Sequence, residues 1–245
     1  MSGHSHWHSI KRIKEAEDKK RGKIFSKLSR MISVAAKSGG DVETNPKLRM
    51  AVEQAKAANM PKDKIERAIK RGTGELAGEK LEEVVIEAFG PGKTAIIIEG
   101  ITDNKNRALS EIKQILSQHN GKMANEGSVR WLFDKKGVIT LEKEEQVEKL
   151  KEKENLELAA IEAGAEDIYW HQDKDVLDVY TKPEELEQVK KNLEKAGIKI
   201  SSSSLDWVAK ETIEVSEEEK GACEKLFEAL DENDAVQEIY SNLKT

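Results

Sequence analysis

A single cysteine, Cys223, leaves the chain without a partner for an internal disulfide and points to a reducing compartment. Aromatic residues are scarce: four Trp, four Phe and three Tyr among 245 positions. The cores must therefore be built from aliphatic side chains. Long apolar runs are missing as well. The longest, TAIIIEGI at 94–101, falls far short of the roughly 20 residues a bilayer span needs. No apolar signal-peptide segment stands near the N-terminus, so a soluble cytoplasmic protein is the expectation.

Catalytic patterns are equally thin. GPGKT at 90–94 ends like a phosphate loop, but the position of that loop's first glycine is Glu87 and the residues after Thr94 read as a strand. A turn is the better account. GTGELAG at 72–78 follows a helix where a dinucleotide loop would follow a strand. Cys223 lies in a helical stretch beside Ala222 and Leu226 with no histidine after it, which reads as a buried structural thiol. His119 at a helix end and His171 at a strand end read as structural, and no carboxylate pair stands out. These absences argue against an enzyme, a nucleotide cofactor and a small-molecule substrate.

What is present is charge, unevenly placed. Asp, Glu, Lys and Arg make up 36% of the chain and the formal net charge is −6. Residues 1–80 hold 19 Lys and Arg against 10 Asp and Glu, net +9, which leaves 22 against 37, net −15, for 81–245. A basic head on an acidic body suits contact with a polyanion, the body repelling unproductive poses. Nucleic acid is the expected partner.

The head reads as three helices over 1–80. In GKIFSKLSRMISVAAKSGGD, Ile24, Phe25, Leu28, Met31, Ile32 and Ala35 recur at helical spacing and Gly39 and Gly40 stop the helix. Lys23, Lys27, Arg30 and Lys37 form a second stripe, suited to phosphates. A second helix has Asn45 as cap and Pro46 in its first turn; a third opens at Pro61 and ends at Gly72 and Gly74. From 81 the period becomes that of strands: two joined through Gly90-Pro91-Gly92, a helix from Asn104 to His119, and a strand at SVRWLF, 128–133. Residues 137–207 follow in βαββαβ order, a ferredoxin-like unit with a helix ending near Gly164 and a last strand IKISSSSLDW. A short strand at 212–215, a helix at 217–231 and a strand AVQEIYSNL complete the chain. The expectation is a multidomain α+β protein: a helical domain, 1–80; an α/β domain, 81–135 with 208–245; and a ferredoxin-like domain, 136–207, inserted in it.

The chain begins GHSHWHSIKRIK. In an extended chain His4, His6 and His8 project to one side, but no fourth ligand accompanies them, and no metal is expected. Loss of Met1 would put His4 third behind Ser2 and Gly3, an arrangement that chelates Cu(II) or Ni(II) through amine, amides and imidazole. Trp7 among Lys11, Arg12, Lys14, Lys19, Lys20, Arg21 and Lys23 offers an indole for base stacking beside cations for phosphates. The basic run continues through Lys27, Arg30, Arg49, Arg67, Lys70 and Arg71. The bland alternative is a solvated tail whose Trp7 and Ile10 dock on the head. TDNKNR at 102–107 offers a secondary contact loop: Asp103 or Asn104 caps a helix, and Asn106 and Arg107 stay exposed to a partner.

GHSHWHSIK, KRGKIFSKL, NPKLRMAVEQAKAANMPKDKIERAIKRGTGE, IEAFGPGKTAIIIEGITDNKNR and GSVRWLF together resemble the YebC family, which includes the mitochondrial translational activator of cytochrome c oxidase. The resemblance implies a helical domain and two α/β domains around a cleft. It further implies a non-enzymatic, DNA-binding transcriptional regulator or, for some members, a factor acting in translation at the ribosome through ribosomal RNA. His4, Trp7, Lys11, Lys23, Asn45, Arg49, Arg67, Lys70, Asp103, Asn104, Asn106 and Arg107 fall on the family's pattern. His6 and His8 depart from it, and so does SSSSLDWVAK, where the family has an Ile-Pro-containing strand.

Overall fold

The computed structural model describes residues 18–171 and 175–244, and within them no side chain of 18–20 or 149. The helical head comprises α1 (Asp18–Ala35), α2 (Pro46–Ala57) and α3 (Lys62–Thr73). Their inward stripes, Leu28 and Ile32, Leu48, Ala51 and Ala55, and Ile65 and Ala68, close one aliphatic core. This follows the 3.6-residue period of the sequence. Asn45 fixes the turn between α1 and α2. Its side-chain oxygen accepts from the Leu48 amide at 3.1 Å, and its amide donates to the carbonyls of Ala35 and Gly39, both at 2.8 Å. Gly72 is where α3 meets α1. A methyl group there would sit 2.2 Å from the Ser33 carbonyl oxygen, so only glycine permits the approach.

Two four-stranded antiparallel sheets follow. The first contains β1 (Glu82–Phe89), β2 (Ala95–Thr102), the two-residue β3 (Lys122–Met123) and β8 (Val236–Ser241), in the order β3-β1-β2-β8. It packs Ile86, Ala88, Ile96 and Ile98 against α4 (Lys105–Gln118) and α7 (Glu217–Asp231), which supply Ile112, Leu116, Leu226 and Phe227. The second contains β4 (Phe133–Glu142), β5 (Asp167–His171), β6 (Val176–Thr181) and β7 (Ser202–Ala209), in the order β5-β6-β4-β7. With α5 (Lys153–Ala163) and α6 (Leu186–Lys195) it runs β4-α5-β5-β6-α6-β7, the split βαβ order that the sequence suggests. Ile139, Leu141, Leu177 and Val179 meet Leu156, Ala160, Val189 and Leu193 in its core.

Several local expectations are corrected. SVRWLF is no strand before Phe133: Arg130–Leu132 is a 3-10 turn. The reason is Glu87, whose carboxylate takes the backbone amides of Gly127, Val129 and Arg130, so they have no ladder to join. The helix expected after GVITLE starts only at Lys153, because buried Gln146 anchors the preceding segment to the backbone of Glu142 and Lys199. Residues 212–215 contribute a single bridge, Ile213 to Leu243. The serine run does join a strand, β7, which begins at Ser202. The β4-β7 pair runs unbroken from Phe133–Ala209 to Thr140–Ser202, across the expected limits at 135/136 and 207/208, and so joins the two α/β units.

On the faces away from the helices, Ile97, Val129, Phe133, Ala209 and Tyr240 form a further cluster with Trp207 packed on it. Beside it Glu99 of β2 accepts from Lys135 Nζ and Trp207 Nε1, each at 2.8 Å, and from Tyr240 Oη at 3.5 Å. One carboxylate therefore ties the first sheet to the base of the β4-β7 pair.

Candidate nucleic-acid interface

The expected contact residues divide into groups with different surroundings. His4, Trp7, Lys11, Arg12 and Lys14 lie outside the described residues, and the side chains of Lys19 and Lys20 do too. Arg21 is exposed on α1.

Three cations of the α1 stripe, Lys23, Lys27 and Arg30, are partly buried against the body, while Lys37, in the 3-10 turn that follows α1, is exposed. Lys23 Nζ donates to Glu232 at 3.0 Å. Lys27 Nζ reaches the Asp231 carboxylate at 3.0 Å and its carbonyl at 3.1 Å. Arg30 donates to the carbonyl of Asp234, and Lys37 to that of Leu81. Helix α7 explains why. It ends in Asp231 with Glu232 as its cap and has no basic residue in its last turn, so carboxylates crowd the negative end of the helix dipole. The α1 cations supply the missing counter-charge. A half-exposed pair of this kind contributes about 0.2–1 kcal/mol and is screened by salt, so the contact holds through its number of pairs.

Arg49 is also engaged within the chain. Its Nε donates to the Val42 carbonyl at 3.0 Å, a second nitrogen donates to the Glu43 carbonyl, and Nη1 stands 3.6 Å from Glu187 of α6. Lys190 of α6 pairs in turn with Glu53 of α2. The head thus rests on both sheets' helices, through α1 on α7 and through α2 on α6.

Helix α3 presents the contrasting surface. Ile65 and Ala68 point inward, while Lys62, Lys64, Arg67, Lys70 and Arg71 are exposed, with Asp63 and Glu66 as the acidic residues among them. Lys62 pairs with Glu66 at 3.7 Å, Lys64 lies 5.1 Å from the centre of the Phe25 ring, and Arg71 donates to Ser29 Oγ at 2.6 Å. Arg67 and Lys70 have no ion pair among the described residues.

In the secondary loop, Asn104 is the cap of α4, accepting the Arg107 amide at 3.1 Å, and Asp103 pairs with the Arg107 guanidinium. Lys105, Asn106 and Arg107 are exposed. Thr102 pairs with Glu82, the neighbour of Leu81 whose carbonyl receives Lys37. The loop and the head therefore meet the first sheet at the same end.

Three buried groups escaped the sequence reading. Glu87, almost wholly buried, would have its pKa raised by burial, but the amides of Gly127, Val129 and Arg130 at 2.6–3.0 Å, with the Arg130 charge, hold it below the ordinary glutamate value. Tyr240 is pushed up by burial and by the nearby Asp206, Glu99 and Glu238, so it stays a neutral phenol. Asp178, buried on β6, accepts from Thr140 and stands 2.8 Å from His171 Nε2. Only the odd placement of Glu87 and Asp178 inside strand patterns hints at the two carboxylates. Cys223 matches its structural reading: it is buried, with its thiol 3.5 Å from Thr94 Oγ1 and its pKa raised by burial. Among the described residues no group of three His, Cys, Asp or Glu is placed to hold a metal ion, and no helix is long and apolar enough to cross a membrane.

Comparison with known proteins gives the lineage. Residues 5–75 match the model of the TACO1/YebC protein N-terminal domain, and residues 81–243 that of the TACO1/YebC second and third domain. The chain belongs to the TACO1/YebC family. A relative in Caldanaerobacter subterraneus subsp. tengcongensis is 48% identical over 245 residues, covering 100% of this chain and 98% of its own, and one in Petrotoga mobilis is 50% identical over 243 residues, covering 99% and 94%. Both are named probable transcriptional regulatory proteins. The crystal structure of a conserved hypothetical protein from Aquifex aeolicus superimposes with a TM-score of 0.84 at 44% identity, covering 93% of this chain and 91% of that one. The TACO1/YebC models divide between 75 and 81, where the helical head gives way to β1.

Proposed function

We propose that this TACO1/YebC chain is a non-enzymatic regulatory protein that binds nucleic acid, with duplex DNA as its target, acting as a transcriptional regulator. The observation that carries the reading is the charge partition, net +9 over residues 1–80 against net −15 beyond, together with exposed head cations that the body leaves uncovered. The names of the relatives support the regulatory part. In this reading 1–80 is the contact domain. Residues 81–135 and 208–245 form one α/β domain, 136–207 is inserted in it, and the acidic pair orients the complex. The loop of Asp103, Asn104, Asn106 and Arg107 adds a secondary contact.

A competition tests the assignment. Labelled full-length protein is offered promoter-bearing duplex DNA, purified ribosomes and excess random-sequence DNA at physiological salt. Retention on the promoter duplex against both competitors is the expected result. Retention on ribosomes against excess DNA would replace the reading with a translation factor that grips ribosomal RNA.

A further inference from the structure

Resting on the proposed nucleic-acid function, we infer that the phosphate-contacting face of the head is α3, and that the α1 stripe is an internal clasp. The two stripes are chemically alike in sequence and differ only in what surrounds them. Lys23, Lys27 and Arg30 meet Glu232, Asp231 and the Asp234 carbonyl, so a phosphate arriving there would have to displace built partners. On α3, Lys64, Arg67 and Lys70 are exposed on successive turns, and Arg67 and Lys70 carry no ion pair among the described residues. At helical spacing they form a cationic edge about 9 Å long, since each residue rises about 1.5 Å. An edge of that length can face two or three phosphates of one DNA strand, whose charges fall about every 3.4 Å of helix axis. Ile65 and Ala68 anchor the opposite face, and the Gly72–Ser33 contact holds α3 rigidly on α1, so the edge is preorganised.

The partner that fits is the phosphate backbone of duplex DNA. Contact here is positional and carries no sequence information; base reading would fall to other groups. Because the clasp is closed in the same structure in which α3 is open, binding requires no release of the head from the body. The clasp has a different task, holding α1 on the end of α7 and so fixing where α3 faces relative to the acidic body.

The experiment compares three full-length proteins on a random 30-base-pair DNA duplex over a range of salt. They are the wild type, the α3 variant (Lys64→Gln, Arg67→Gln, Lys70→Gln) and the clasp variant (Lys23→Gln, Lys27→Gln, Arg30→Gln). The α3 variant is expected to bind about tenfold or more weaker, with a salt slope flatter by about two to three units. The clasp variant is expected to keep the wild-type slope, and to show its defect as a larger radius of gyration in solution scattering. Amine labelling of the wild type gives a check that needs no variant: duplex should protect Lys64 and Lys70, while Lys23 and Lys27 label slowly with or without it. A wild-type slope in the α3 variant with a flattened one in the clasp variant would overturn the inference and leave the functional reading standing. Wild-type protein that holds RNA duplex but not DNA would overturn the choice of DNA. Protein that holds neither would remove the functional reading itself, and this inference with it.

Discussion

At the scale of single residues, the structure is organised by carboxylates inside strands. Glu87 stands in β1 between inward-facing Ile86 and Ala88, yet it is buried on the opposite face and organises residues 127–130 with three backbone hydrogen bonds. Its lowered pKa means that the folded state binds its proton less tightly than the unfolded chain. The stabilisation is therefore fully present above the unfolded value and is lost as pH falls through the folded one. Glu87→Gln should cost about 2–4 kcal/mol at neutral pH, because amides built to meet a charge would meet a weaker acceptor. Denaturant unfolding at neutral pH and at acid pH checks this. The gap between variant and wild type should narrow in acid; an equal gap at both would show that the ionised carboxylate contributes nothing. The sequence carries only a carboxylate out of place in a strand pattern as a sign of this role, since the partners lie 40 and more positions away and no local period marks them.

At the scale of elements, caps and periods were the legible part. Asn45 before Pro46, and Asn104 before an amphipathic run, both act as the caps their surroundings suggested. The side chain that caps α2 also clamps the end of α1, which the pattern did not show. Asn45→Ala should consequently cost more than an ordinary cap, about 2–3 kcal/mol against the usual 1, seen as a lowered unfolding midpoint with an unchanged denaturant slope. A loss of only a few tenths would mean that the two carbonyls are as well served by water. Two of the misread elements are set by long-range side-chain contacts: Glu87 takes the backbone amides at 127–130, and Gln146 ties the segment before α5 to the backbone of Lys199. The serine run shows the converse. Ser202, Ser203 and Ser204 have weak strand preference but pair with Thr140, Ile139 and Val138 in a sheet whose other strands are strong.

At the scale of the whole molecule, opposite charge in head and body serves two ends. Part of the head's excess is used internally, by Lys23 and Lys27 of α1 on the end of α7 and by Arg49 of α2 beside Glu187 of α6. Among the described head cations, Lys62, Lys64, Arg67, Lys70 and Arg71 are exposed on α3. Counting charges along the sequence reveals the partition but not which cations remain free, because the partners of Lys23 and Lys27 lie 204 or more positions away. The most direct test of the central claim is a titration of a labelled DNA duplex with the full-length wild-type protein at stepwise salt. Affinity should fall linearly on logarithmic axes with a slope of about −3 to −5, the signature of a few phosphates neutralised by exposed cations. Absence of binding at low salt, or an affinity indifferent to salt, would contradict a basic head that grips nucleic acid.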